Sequence, residues 1–153
     1  MLALLNAPIS LYTIPLAWLF AYLPQVYRVR LMKQVKVFDN DQPRQILNKI
    51  SAKEGVDAKL KAKIARVEGA HYNGLESYPL WSIAVLAANV AGLNQRAINL
   101  TAGVYLGSRV VYNYIYIKQT RRWHTSMRTL VWLVGVGSSI SLLVRSGNLL
   151  SSA

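Results

Sequence analysis

The stretch Arg66-Val-Glu-Gly-Ala-His-Tyr-Asn-Gly-Leu-Glu76 runs without a break into an apolar segment at 77–93. It sets an asparagine and a carboxylate inside what otherwise reads as a membrane-spanning helix. Ionisable groups are costly in hydrocarbon, so one placed there marks a candidate functional site. The chain supplies a partner of opposite charge, Arg109, inside another apolar segment.

Working outward, four apolar segments stand out, at about 9–31, 66–93, 97–118 and 127–146. A spanning helix needs roughly 20 mainly apolar residues, so each is long enough. The 153 residues are expected to form one domain, an all-α integral membrane bundle of four helices. The first segment lacks a basic residue before its apolar run and a small-residue cleavage pattern after it. It therefore reads as an uncleaved helix, with Pro15 and Pro24 tolerated as they are in membranes.

The net charge of +12 invites a nucleic-acid reading, but its distribution favours membrane topology. Fifteen of the 18 Lys and Arg residues fall at 28–66 or 118–128. The long loop at 33–63 and the short one around Arg121 are therefore expected on the cytoplasmic side, with both termini opposite. Within the long loop, 39–43 reads as a turn and 52–66 as a charged helical approach to the second span. Its lysines suit anionic headgroups, or alternatively a docking partner.

The absence of cysteine excludes disulfides, thiolate nucleophiles and iron–sulfur clusters within the chain. His71 and His124 share no ligand spacing, so no metal site is expected.

Depth matches the two charges. Glu76 lies roughly 15 Å along the second helix from Arg66. Arg109 lies about 13 to 18 Å from the cytoplasmic end of the third. A pair at equal depth on antiparallel neighbours offsets the penalty of either charge alone. Asn73 and Glu76 are three apart; Arg109, Tyr112 and Tyr116 follow at spacings of three and four, so each set shares a face. Two readings follow. One is a polar pocket opening towards the cytoplasm, ringed by Arg28, Arg30, Arg121 and Arg122. The other is plain interhelical hydrogen bonding, with the tyrosines as an interfacial belt. Gly103 and Gly107, four apart, would allow close helix approach, and the glycines at 135 and 137 are expected to serve packing.

Residues 66–80 resemble the second-helix signature of the MAPEG family, the membrane-associated proteins in eicosanoid and glutathione metabolism. Arg109-Val-Val-Tyr-Asn-Tyr-Ile-Tyr116 resembles its third-helix signature. The resemblance spans about 12–144 and implies a trimer of four-helix bundles in an endomembrane or the plasma membrane. It implies glutathione as co-substrate, bound between subunits by Asn73, Glu76, Tyr112 and Tyr116, with Arg109 and Arg30 in support. An arginine after the third helix, Arg121 or Arg122, would stabilise the thiolate. The implied activity is a glutathione-dependent transferase or peroxidase acting on a lipophilic small molecule delivered by membrane lipid. The chain departs from glutathione-using members at Gly69, where these often carry arginine, and in its long basic loop. A non-catalytic scaffold or lipid binder is therefore the alternative, and a transporter the third.

Overall fold

The computed structural model describes residues 6–36, 41 and 45–152, with the side chain of Ile46 left aside. The turn expected at 39–43 lies outside the described residues except for Asp41. The described chain is all-helical, with no strand. A 3-10 turn, Ile9–Tyr12, leads into α1, Thr13–Gln34. Then come α2, Ile46–Ala52; α3, Ala58–Val90; α4, Gln95–Lys118; and α5, Arg122–Ser151.

Local chemistry sets the boundaries. The Asp57 carboxylate accepts from the Lys59 N–H (3.3 Å), capping α3 two turns before Arg66. The expected helical approach and the second span are thus one 33-residue helix, preceded by a turn at Gly55 (φ 74°). At its other end Gly92 takes φ 76°. Its N–H bonds the Asn89 carbonyl, and Leu93 N–H bonds that of Ala88. This double closure uses the left-handed glycine to satisfy two carbonyls that the helix leaves free. Asn94 then caps α4 by accepting from Ala97 N–H (3.2 Å).

α1 continues through Pro24. A proline leaves the carbonyl four residues earlier without its usual donor. Here Asn113 Nδ2 of α4 donates to the Phe20 carbonyl (3.0 Å). His71 Nδ1 donates to the next carbonyl, Ala21 (2.8 Å), so this buried histidine serves packing. Beside it, a Cβ on Gly74 would come within 2.8 Å of the Ala21 Cα, so α1 and α3 meet almost backbone to backbone.

The four long helices pack against one another, with α3 touching α1, α4 and α5. Two apolar cores lie in series. One gathers Ala17, Trp81, Val85, Ile98, Tyr105 and Leu142. Trp81 and Tyr105 stack there at 3.9 Å. The other gathers Leu31, Met32, Ile50, Ile64 and Val67. Ile50 comes from α2, a short helix in the loop that sequence reasoning did not anticipate. Between the cores, residues 68–77 of α3 and 108–116 of α4 lie at the same level and carry the polar side chains of the bundle interior. That layer holds the site.

Among the described residues, two stretches, Ile9–Gln34 and Arg122–Ser151, are long and apolar enough to cross a membrane. Only 22% of the most apolar window of each is buried inside the chain, which sets them apart from core helices of a soluble protein. Large apolar side chains are exposed on all four long helices, among them Leu19, Leu86, Val104 and Leu133. Gly103 and Gly107 do not serve packing within the chain, since an added Cβ at either meets nothing within 4 Å. The close approaches use Gly74 and Gly135 instead.

Candidate functional site

Asn73 from α3, Tyr112 from α4, and Arg128, Thr129 and Trp132 from α5 line one cleft of about 200 Å³. Asn73 is oriented by its own helix, its Nδ2 donating to the Gly69 carbonyl (2.8 Å). Tyr112 is buried beside Tyr116, ring centroids 5.5 Å apart. The Arg128 guanidinium lies 4.6 Å over the Tyr116 ring, and its Nη1 donates to Gln119 Oε1 (3.1 Å). The cleft thus combines an amide, a phenol and a guanidinium held in place by a ring face and a side-chain carbonyl. Such a set can hydrogen-bond a polar ligand and hold an anionic group against the guanidinium.

Arg128 was not among the residues singled out from sequence. It stands at the start of the last apolar segment, four before Trp132, and that spacing was its only signal. Arg121 and Arg122, the expected thiolate partners, line a separate cleft of about 570 Å³ with Lys59 and Arg66. Arg30 is exposed and lines neither cleft.

The expected Glu76–Arg109 pair does not form. Glu76 is exposed, whereas Arg109 is buried and turned the other way. Its Nη1 donates to Ser77 Oγ (3.3 Å) and its Nη2 to the Trp132 carbonyl (3.4 Å). Its guanidinium sits 5.3 Å from the ring centres of both Tyr105 and Tyr112. A Cβ on Gly135 would collide with it, so that glycine makes its seat. The physical reason is azimuth. Successive residues on a helix are about 100° apart, so at the same depth Ser77 faces α4 and Glu76 does not. The ion pair of the polar layer is instead Arg28–Glu68, joining α1 to α3, with both side chains buried.

Gly69 also has a structural role. A Cβ there would lie 2.6 Å from the Tyr116 hydroxyl. Tyr116 therefore occupies the space that a side chain at this position would take.

Among the described residues, no three His, Cys, Asp or Glu side chains gather to hold a metal. His124 is engaged in capping: its Nδ1 accepts from the Arg121 and Thr120 N–H groups (3.1 and 3.4 Å), closing the loop into α5.

The model of the MAPEG family matches residues 9–148 of the 153. The chain belongs to the MAPEG family. This is a membrane-bound family whose members include glutathione transferases, peroxidases and non-catalytic proteins. Comparison with curated proteins and with solved structures gives no significant match. For this MAPEG protein, the match covers every residue of the polar layer, from Arg28 to Trp132.

Proposed function

We propose that this MAPEG protein is a glutathione-dependent transferase or peroxidase acting on a lipophilic electrophile at the membrane. The observation that carries the reading is the single cleft shared by Asn73, Tyr112 and Arg128. Asn73 binds the peptide part of glutathione, and Tyr112 and Tyr116 supply hydroxyls. Arg128 stabilises the thiolate, because a guanidinium near a thiol favours its charged form. The thiol proton leaves to solvent. With a carbon electrophile entering laterally from lipid, the thiolate adds to the carbon, either across a polarised double bond that then takes up a proton or with departure of a leaving group as its anion. With a lipid hydroperoxide, the thiolate attacks the outer peroxide oxygen, the O–O bond breaks to release the alcohol, and a second glutathione displaces water from the sulfenic acid to give the disulfide.

The protein acts as a homotrimer of four-span subunits with both termini away from the cytoplasm. Two features support this. The cleft of about 200 Å³ falls below the usual range for ligand pockets, roughly 300–1,000 Å³, and a second copy against it would enlarge it into that range. Glu76 is exposed on a helix flanked by lipid-facing residues, an arrangement that is costly unless another subunit or the ligand amine covers it. The exposed face of α4 with Leu100, Gly103, Val104, Gly107 and Val111 suits such a neighbour.

A second reading, a non-catalytic scaffold or lipid binder, is favoured by Tyr116 standing against Gly69, where glutathione-using members often carry arginine. Glutathione binding to the detergent-purified protein decides between them. Saturable binding at millimolar ligand, weakened by Glu76→Gln, supports the enzyme. Arg128→Gln should spare binding but raise the bound thiol's pKa, so that turnover falls at neutral pH and recovers at higher pH. No saturable binding sinks the enzyme in favour of the second reading.

A further inference from the structure

The cleft of about 570 Å³ beside the polar layer has no part in the chemistry above. It lies between the start of α3 and the loop joining α4 to α5. Lys59, Arg66, Arg121 and Arg122 line it, with Gln119, Thr120 and Thr125. Among the described residues no carboxylate lines it. Four cations facing one concavity repel one another, and an anion between them relieves that repulsion.

The cleft also has fixed walls. Arg66 Nε donates to the Ile117 carbonyl (3.2 Å), which anchors that guanidinium to the end of α4. Gln119 Nε2 donates to Thr125 Oγ1 (2.8 Å), tying the loop to α5. The N-terminus of the 30-residue α5 lies here and adds the partial positive charge of the helix dipole.

Its position identifies the ligand's source. α5 is one of the two stretches apolar enough to cross a membrane, and the cleft sits at its first turn. Trp123 and Met127 are exposed within that turn and the next. Tryptophan at the end of an apolar helix marks the headgroup level of a bilayer. Basic pockets at this depth, between helix ends on the cytoplasmic side, are suited to phosphorylated headgroups. From this geometry we infer that the cleft binds the phosphomonoester headgroup of an anionic membrane lipid, separately from glutathione. Arg121 and Arg122 grip the phosphate oxygens as planar donors, and Lys59 and Arg66 neutralise the second charge.

The test uses the full chain purified in neutral detergent, with bound lipid counted by native mass spectrometry. The probes are phosphatidic acid, phosphatidylserine and inorganic phosphate. Phosphatidic acid should bind saturably and about tenfold more tightly than phosphatidylserine, which lacks the second phosphate charge. The double variant R121Q/R122Q should lose at least tenfold in affinity, at about fivefold per charge removed. Lys61→Gln is the control. It removes one charge from the same helix, but its Nζ turns away to the Ser51 carbonyl (2.8 Å), and it should change affinity less than about twofold. Unaltered glutathione binding in R121Q/R122Q would confirm that the two sites are separate. The inference is overturned by equal losses per charge in R121Q/R122Q and Lys61→Gln, which would mean diffuse surface attraction. Displacement of phosphatidic acid by glutathione would overturn it too, as would inorganic phosphate binding as tightly as the lipid. Should the double variant fail to fold, Lys59→Gln alone must show the fivefold loss, and failure to do so also overturns it.

Discussion

Arg28 and Arg109 are buried to the same degree, each 5% exposed, yet the chain accommodates them in opposite ways. Arg28, towards the C-terminal end of α1, is neutralised by the Glu68 carboxylate. Arg109, further along in the polar layer, meets neutral groups: the Ser77 and Ser108 hydroxyls, the Trp132 carbonyl and two tyrosine rings. The first solution concentrates the compensation in one partner. The second disperses it over several weak ones. Losing one partner should therefore be severe at Arg28 and mild at Arg109.

The largest expected effect follows directly. Glu68→Ala leaves the Arg28 guanidinium buried and unpaired, which costs about 3–5 kcal/mol. The double change Arg28→Met with Glu68→Leu removes both charges at similar volume and should lie within about 1–2 kcal/mol of the parent. Unfolding in detergent micelles measures both. A Glu68→Ala protein as stable as the parent would show that the pair contributes nothing. Ser77→Ala, which removes one of the Arg109 partners, should cost only about 0.5–1.5 kcal/mol by the same measurement.

The polar layer itself was legible in sequence. Asn73, Arg109, Tyr112 and Tyr116 lie in it, because the depth of a residue follows from counting along a helix. Which polar groups touch was not legible, because contact also depends on azimuth and on partners from distant segments. Glu76 and Ser77 have nearly the same depth, and only packing decides which one faces α4. Glu68 stood in the very stretch that defined the layer. Its partner Arg28 was assigned to the rim because it lies near the end of the first apolar segment, and nothing local indicated that it turns inward. Arg128 was missed for the same reason: α5 contributes to the site across chain distance, from a segment that otherwise reads as plain membrane helix.

A double-mutant cycle sharpens the contrast at smaller magnitude. Arg28 and Glu68 should couple by more than about 1 kcal/mol, as contacting charges do. Glu76→Gln and Arg109→Met should add within about 0.5 kcal/mol, as side chains that do not touch each other do. A coupling of the second pair comparable to the first would restore Glu76 as the counter-charge of Arg109 and break the comparison.

The smallest effect separates stability from binding. Two glycines seat polar side chains in this layer: Gly135 under Arg109 and Gly69 under Tyr116. Alanine at either gains about 1 kcal/mol of helix propensity. At Gly135 the new methyl meets a guanidinium pinned between two rings, Ser77 and the Trp132 carbonyl, and overpacking of about 1–3 kcal/mol outweighs that gain. At Gly69 it meets the hydroxyl end of Tyr116, a half-buried ring that can swing aside, so the two terms nearly cancel. That swing carries the Arg128 guanidinium stacked on the same ring. Gly69→Ala should therefore leave unfolding within about 0.5 kcal/mol of the parent while shifting glutathione affinity. Gly135→Ala should lower stability and leave the Asn73 cleft in place. Equal losses of stability at the two sites would mean that Tyr116 is held as firmly as Arg109. Its place against Gly69 would then be a fixed part of the bundle rather than an adjustable wall of the site.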